Sequence, residues 1–237
     1  MLSEVANQLL KVNRDFYENF ADDFSETRMR VQSGVMQILA GIPEDARILD
    51  LGCGNGNLAV ELDKLGFGGH YLGLDQSAGL IEYARSHELQ FAQFLQADLT
   101  SNDWDTELEG QRFDVVLCFA TMHHIPSEEL RLRFLEKARQ LIFGGGQFIF
   151  STWQFLNSPR LAERVQQWER VDLNIADVDE GDYLMDWKRG GEGLRYVHVY
   201  SPEELYELAH KSGFKVEEQF SSDGATGDLG LYMVWGK

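Results

Sequence analysis

The stretch Asp50-Leu-Gly-Cys-Gly-Asn-Gly56 sets three glycines at alternate positions behind a carboxylate. Glycines at that density permit a tight turn and let the backbone come close to a bound ligand. The dinucleotide fingerprint wants a third glycine three residues after the second, and Asn57 stands there instead. Asp50 is awkward beside a pyrophosphate but suits a ligand that carries positive charge. Asp75 lies nineteen positions beyond Gly56, where a carboxylate can accept from both hydroxyls of a ribose. Asp98 follows in Gln96-Ala-Asp-Leu99. A solitary aspartate is most often a helix cap or a solvated loop acid. Three of them, each closing a strand-like run beside a glycine loop, favour a binding crevice.

Two further clusters could act on a second molecule. Ala120-Thr-Met-His-His-Ile-Pro126 ends a strong apolar run, and adjacent histidines in an extended segment face opposite ways. One of His123 and His124 should then reach a pocket while the other packs. No third ligand is placed by spacing, so a metal site is not expected. In Leu194-Arg-Tyr-Val-His-Val-Tyr200 a strand would carry Arg195, Val197 and Val199 on one face. Its other face, Tyr196, His198 and Tyr200, is an odd way to fill a core. Tyr196 and His198 are expected to look at the reacting end of the site, and Arg195 to serve structure.

Positioning these groups takes an alternation of strands and helices. Apolar runs at 47–51, 71–75, 90–96, 113–119 and 144–152 read as strands, and the segments 58–65, 80–86 and 127–141 between them as helices. Crossovers of that length imply a mostly parallel sheet, hence an α/β fold. Residues 1–40 read as helical cover and 41–152 as the ligand-binding core. Residues 153–200, with a helix predicted over 160–170, read as an insertion over the acceptor side, and 201–237 as a closing helix and two strands. One domain is expected.

The chain has 237 residues and a net charge of −18, from 21 basic and 39 acidic side chains. Such a surface repels phosphate backbones and anionic membranes. The start shows no signal-peptide pattern and no apolar run is of membrane-spanning length, so a cytoplasmic protein is expected. Cys53 and Cys118 form no metal motif and are expected to be reduced thiols.

Taken as a set, Ile48-Leu-Asp-Leu-Gly-Cys-Gly-Asn-Gly56, Gly73-Leu-Asp75, Ala97-Asp98 and Phe113-Asp-Val-Val116 resemble the class I S-adenosylmethionine-dependent methyltransferases over roughly residues 40–155. The resemblance implies a Rossmann-like sheet of seven strands, the last antiparallel, with S-adenosylmethionine as cofactor. It implies Gly52, Gly54 and Gly56 against the methionine part, Asp75 on the ribose and Asp98 on the adenine amino group. Asp50, Cys53, Gln76, Leu99 and Phe119 complete the implied contact set. Scattered pieces outside the core resemble the tRNA wobble-uridine carboxymethyl methyltransferases of the Trm9 and ALKBH8 type: Phe24-Ser-Glu-Thr-Arg28, Met122-His-His124, Asp186-Trp187 and Arg195-Tyr-Val-His-Val-Tyr200 before Glu204-Leu205. Val197 interrupts the paired aromatics of that subfamily. Its members methylate a carboxylate, which is already ionised and needs cations and donors rather than a strong base. Arg28, Tyr196, His198 and His123 are the candidates for that acceptor end. The acceptor is expected to be tRNA or, given the charge, a small molecule methylated on nitrogen or oxygen. A protein partner, or a non-catalytic role as a cofactor-binding subunit, is the further alternative.

Overall fold

The computed structural model describes residues 1–27 and 30–237, so Arg28 lies outside the described residues, as do the side chains of the Phe24–Thr27 piece. Five parallel strands, β1 (Arg47–Leu51), β2 (His70–Asp75), β3 (Ala92–Gln96), β4 (Phe113–Phe119) and β5 (Ile142–Trp153), form most of the main sheet. Helices α1 (Ser3–Thr27) and α2 (Ser33–Leu39) precede them, and α3 (Asn57–Lys64), α4 (Ala78–Arg85) and α5 (Glu128–Gln140) make crossovers. After β5 come α6 (Pro159–Ala162) and three short strands, β6 (Val165–Gln166), β7 (Asp182–Trp187) and β8 (Gly193–His198). Helix α7 (Pro202–Ser212), β9 (Lys215–Ser222) and β10 (Gly230–Gly236) close the chain.

The main sheet runs β3-β2-β1-β4-β5-β10-β9, with β10 antiparallel to both its neighbours. This is the Rossmann-like α/β arrangement expected. Its strand order reverses between β1 and β4, and a crevice opens beyond the carboxyl ends of the strands at such a switch point. Both faces are apolar. Leu49, Leu51, Val116, Phe148, Phe150 and Trp235 fill one layer, and Ile48, Tyr71, Leu117, Ile149 and Tyr232 the other.

Strand β7 pairs antiparallel with both β6 and β8, making a second, three-stranded sheet. The helix expected over 160–170 is therefore not formed. Pro159 opens a single short turn, after which Val165 and Gln166 join β7 and residues 168–171 make a 3-10 turn. Strand pairing and the Arg164–Asp186 ion pair at 2.9 Å outweigh the local helical pattern there. Helix α1 packs on β8 through Val5 and Leu9, which meet Leu184, Tyr196 and Trp168.

Candidate active site

Strand β1 ends at the glycine loop because Gly52, Gly54 and Gly56 all adopt positive φ. At Gly52 (φ +86°) a Cβ would fall 2.0 Å from the Thr121 hydroxyl, so only glycine lets the β1 and β4 loops approach this closely. A Cβ on Gly54 would meet nothing, since that residue opens onto the cavity. Gly56 differs from expectation. Its Cβ would strike Ala84 of α4 and Phe94 of β3, so it packs against those two elements and does not line the cavity.

The cavity at the carboxyl ends of β1, β2 and β4 is lined by the other residues expected of a cofactor site: Asp50 near the end of β1, Gly52, Cys53 and Gly54 from the loop, Asp75 at the end of β2 and Gln76 beyond it, Asp98 and Leu99 after β3, and Phe119. Both oxygens of Asp75 accept backbone N–H groups, from Gly54 at 2.9 Å and Ser77 at 2.9 Å. The carboxylate is thereby fixed, with lone pairs left for a ligand. Burial raises its pKa against those stabilising bonds. Asp50 accepts from the buried Tyr71 hydroxyl. Burial pushes its carboxyl up to about 7, the Tyr71 bond opposing and the charge of Asp75 adding to the rise. Asp98 accepts from the Thr100 backbone at 3.0 Å and hydroxyl at 2.6 Å, and pairs with Arg14 at 3.3 Å.

A nucleoside carrying an amino-acid cation fits this wall. Three carboxylates supply acceptors for ammonium, hydroxyl and amino groups, and Leu80, Leu99, Phe119 and Ile125 supply apolar surface. The Nδ2 of Asn55, a buried residue on the same wall, has no partner and is a donor for a carboxylate. Nothing in the sequence reading singled it out, though it sits inside the glycine loop.

The second half of the cavity comes from α1, the segment after it, and the turn after β4. Leu10, Asn13 and Tyr17 lie along one stripe of α1 at helical spacing, and Arg30, Gln32 and Val35 add to the lining. After Phe119, Ala120 takes a positive φ of 51° and ends the strand. Met122–His124 then form a 3-10 turn, so the two histidines are not in the extended run expected. His124 lines the cavity, while His123 is 3% exposed and packed behind it, its ring 4.4 Å from that of His124. The Tyr17 hydroxyl lies 2.9 Å from His124 Nε2, and His124 Nδ1 lies 3.0 Å from the Tyr196 carbonyl.

His198 and Tyr196 are placed elsewhere. The alternation along β8 is as expected, but the face of Tyr196, His198 and Tyr200 looks at α5 and α7. Asp182 stands opposite His198 across the β7–β8 ladder. It meets His198 Nδ1 at 2.7 Å and accepts from Tyr196 Oη at 2.7 Å. Glu204 of α7 takes His198 Nε2 at 3.0 Å, and Arg131 of α5 donates to Tyr196 Oη and Glu204, each at 3.1 Å. Both residues are at most 1% exposed, and neither reaches the cavity. Arg195, on the other face, lies against the rings of Trp153, Phe16 and Trp187 at 4.8, 5.5 and 5.7 Å. Among the described residues no group of three metal-ligating side chains comes together, and no helix is long and apolar enough to cross a membrane.

Residues 24–219 match the family described as "Methyltransferase domain", and the chain belongs to that family. Among its relatives is the ECU09_1500 protein of Encephalitozoon cuniculi (strain GB-M1), whose own methyltransferase assignment is provisional. It is 28% identical over 202 residues, which span 85% of this chain and 86% of that one. The tRNA (carboxymethyluridine(34)-5-O)-methyltransferase ALKBH8 of Mus musculus is 24% identical over 76% of this chain, but the match spans only 27% of the mouse protein. In fold, the chain is similar to DhpI in the solved DhpI-SAM-HEP complex, with TM-score 0.72, 21% identity, and coverage of 97% of this chain and 98% of that one.

Proposed function

We propose that the chain is an S-adenosylmethionine-dependent methyltransferase whose acceptor enters between α1 and the turn after β4. The observation that carries this reading is the meeting of the glycine loop with Asp50, Asp75 and Asp98 in one cavity, beside Tyr17 and His124. When bound, the cofactor supplies an electrophilic methyl group on a sulfonium. The chain's own residues bind and orient: Asp75 is held by two backbone N–H groups toward ribose hydroxyls, Asp50 offers negative charge to a cationic ligand, and Asp98 offers an acceptor to the base. Positioning and a suitable field are most of what methyl transfer needs from a protein.

For the acceptor, the reading best supported is a small molecule methylated on oxygen or nitrogen. A net charge of −18 opposes a polyanion, and among the described residues Tyr17, His124 and Asn13 line the cavity's acceptor end, with Arg30 as the one cation on its lining. The second reading, a carboxylate on a tRNA wobble uridine, is favoured by the likeness to mouse ALKBH8, by Arg30 on the cavity lining and by Arg14, which pairs with Asp98 of that lining.

Methyl-labelled S-adenosylmethionine incubated with RNA, protein and metabolite fractions of a cell extract separates these. Label in metabolites supports the first reading, and alkali-labile label in tRNA the second. Cofactor binding with no label in any fraction would favour a non-catalytic subunit. Failure to bind S-adenosylmethionine in calorimetry would overturn the proposal itself.

A further inference from the structure

Part of the cavity wall hangs on a group that is not in the cavity. Arg30, Val31, Gln32 and Val35 all line it, and they lie just before or within the first turn of α2. This helix has only seven residues, and Gln32 at its N-cap gives no side-chain cap. Its first N–H groups need acceptors all the same. One comes from the loop between β9 and β10, 189 residues further along the chain: Asp223 Oδ1 accepts the Gly34 N–H at 3.0 Å and the Ser33 hydroxyl at 3.1 Å. A carboxylate there also complements the positive end of the helix.

Asp223 is in turn aimed from behind. The Tyr232 hydroxyl donates to its Oδ2 at 2.6 Å, and this buried ring stacks on Phe220 at 4.9 Å and stands 6.2 Å from Phe119 of the cavity lining. Asp223 takes a φ of +73°, a left-handed backbone that a residue with a Cβ enters at a cost. Two glycines make the room. A Cβ on Gly230 would fall 2.8 Å from Asp223 Oδ2, and one on Gly34 would fall 2.4 Å from the Tyr232 ring. The far end of the loop is pinned as well, since the Gln154 N–H donates to the Leu229 carbonyl and the Asn157 amide to the Asp228 carbonyl, each at 2.8 Å.

We infer that Asp223 is a positioning residue for the cofactor cavity: as the remote cap of α2 it seats the wall of residues 30–35, so that losing the cap loosens cofactor binding although no cofactor contact is removed. The inference rests on the methyltransferase reading and adds to it a control point in a loop that does not line the cavity. Val35 carries the effect inward, because it packs in one apolar cluster with Cys53 of the glycine loop. Asparagine at 223 would keep the Oδ1 acceptor for α2 and could turn its amide toward the Tyr232 oxygen. Alanine would keep neither contact.

Calorimetry with S-adenosylmethionine, well below the unfolding midpoint of each protein, reads the seating of that wall. Asp223→Ala is expected to weaken binding about fivefold, the population effect of losing one cap from a wall that must be seated to bind. Asp223→Asn is expected to stay within about twofold of wild type, since the capping acceptor remains. A cap that served stability alone would lower the midpoint of Asp223→Ala and leave the affinity of the folded protein unchanged; that result, or equal losses in the two variants, overturns the inference. Coupling is reciprocal, so the wild-type protein gives a reading that needs no variant: saturating S-adenosylhomocysteine is expected to slow hydrogen exchange of the Gly34 amide about fivefold in NMR. A Gly34 amide indifferent to the ligand would overturn the role of Asp223 even where Asp223→Ala does not fold. In each of these failures the wild type still binds S-adenosylmethionine, and the methyltransferase reading stands. A wild-type protein that does not bind it would remove both.

Discussion

Burial pushes the Asp50 carboxyl up to about 7 from an ordinary 3.8, with Tyr71 opposing and Asp75 reinforcing the rise. Between those values the folded protein holds a proton that the unfolded chain has lost. The stability contribution of Asp50 is thus full below about pH 3.8 and is lost as pH rises through about 7. Binding of a cationic cofactor has the opposite sign, since it favours the ionised form. Calorimetry should show S-adenosylmethionine binding about tenfold more weakly at pH 6 than at pH 8, and Asp50→Asn should abolish that slope. Asp75→Ala removes the acceptor proposed for the ribose and is expected to weaken cofactor binding by about 2 to 3 kcal/mol; unchanged affinity would take Asp75 off the ribose. These acids were legible because each closes an apolar run beside a glycine loop, a local pattern. Tyr17 was not. Its partner lies 107 residues away, and the acidic, aromatic segment around it reads equally well as a solvated helix.

Element by element, the second sheet is tied to the first by a buried network of Arg131, Asp182 and Glu204 with Tyr196 and His198, the last two of which the sequence pointed toward the reacting end. Arg131 on α5, 2% exposed, donates to the Ile125 carbonyl, Tyr196 and Glu204, and lies 3.5 Å from Asp182. Removing one member of a buried ion pair leaves the other uncompensated. Arg131→Met should therefore cost about 3 to 5 kcal/mol, seen as a lower midpoint in denaturant unfolding. His198→Ala should likewise lower that midpoint while cofactor affinity holds; an unchanged midpoint with lost turnover would return His198 to the reaction. The β8 segment showed its alternation in the sequence. The identity of the surface each face meets was not encoded locally, because α5 and α7 come from the main sheet's own connections. The same limit explains residues 160–170, where pairing of β6 with β7 overrides a helical pattern that is sound in isolation.

For the whole molecule, 39 acidic against 21 basic residues make self-repulsion a term in folding and an obstacle to polyanions. Raising salt from about 10 to 150 mM, which shortens the screening length to about 8 Å, should raise the thermal midpoint in calorimetry. A midpoint indifferent to salt would mean that the acidic groups are already compensated by their neighbours. The sequence by itself determined the strand–helix alternation, the mostly parallel sheet, and a glycine loop ringed by carboxylates at strand ends. These follow from periodicity and spacing, which act over a few residues. Only the tertiary structure decided what stands opposite them. Packing of α1 on β8 brings the Leu10, Asn13 and Tyr17 stripe over the cavity and sets His124 between Tyr17 and the Tyr196 carbonyl. Packing of the other face of β8 against α5 and α7 turns His198 and Tyr196 into part of a buried charge network. Contacts between segments so far apart depend on which apolar faces meet, and no local pattern in the chain specifies that.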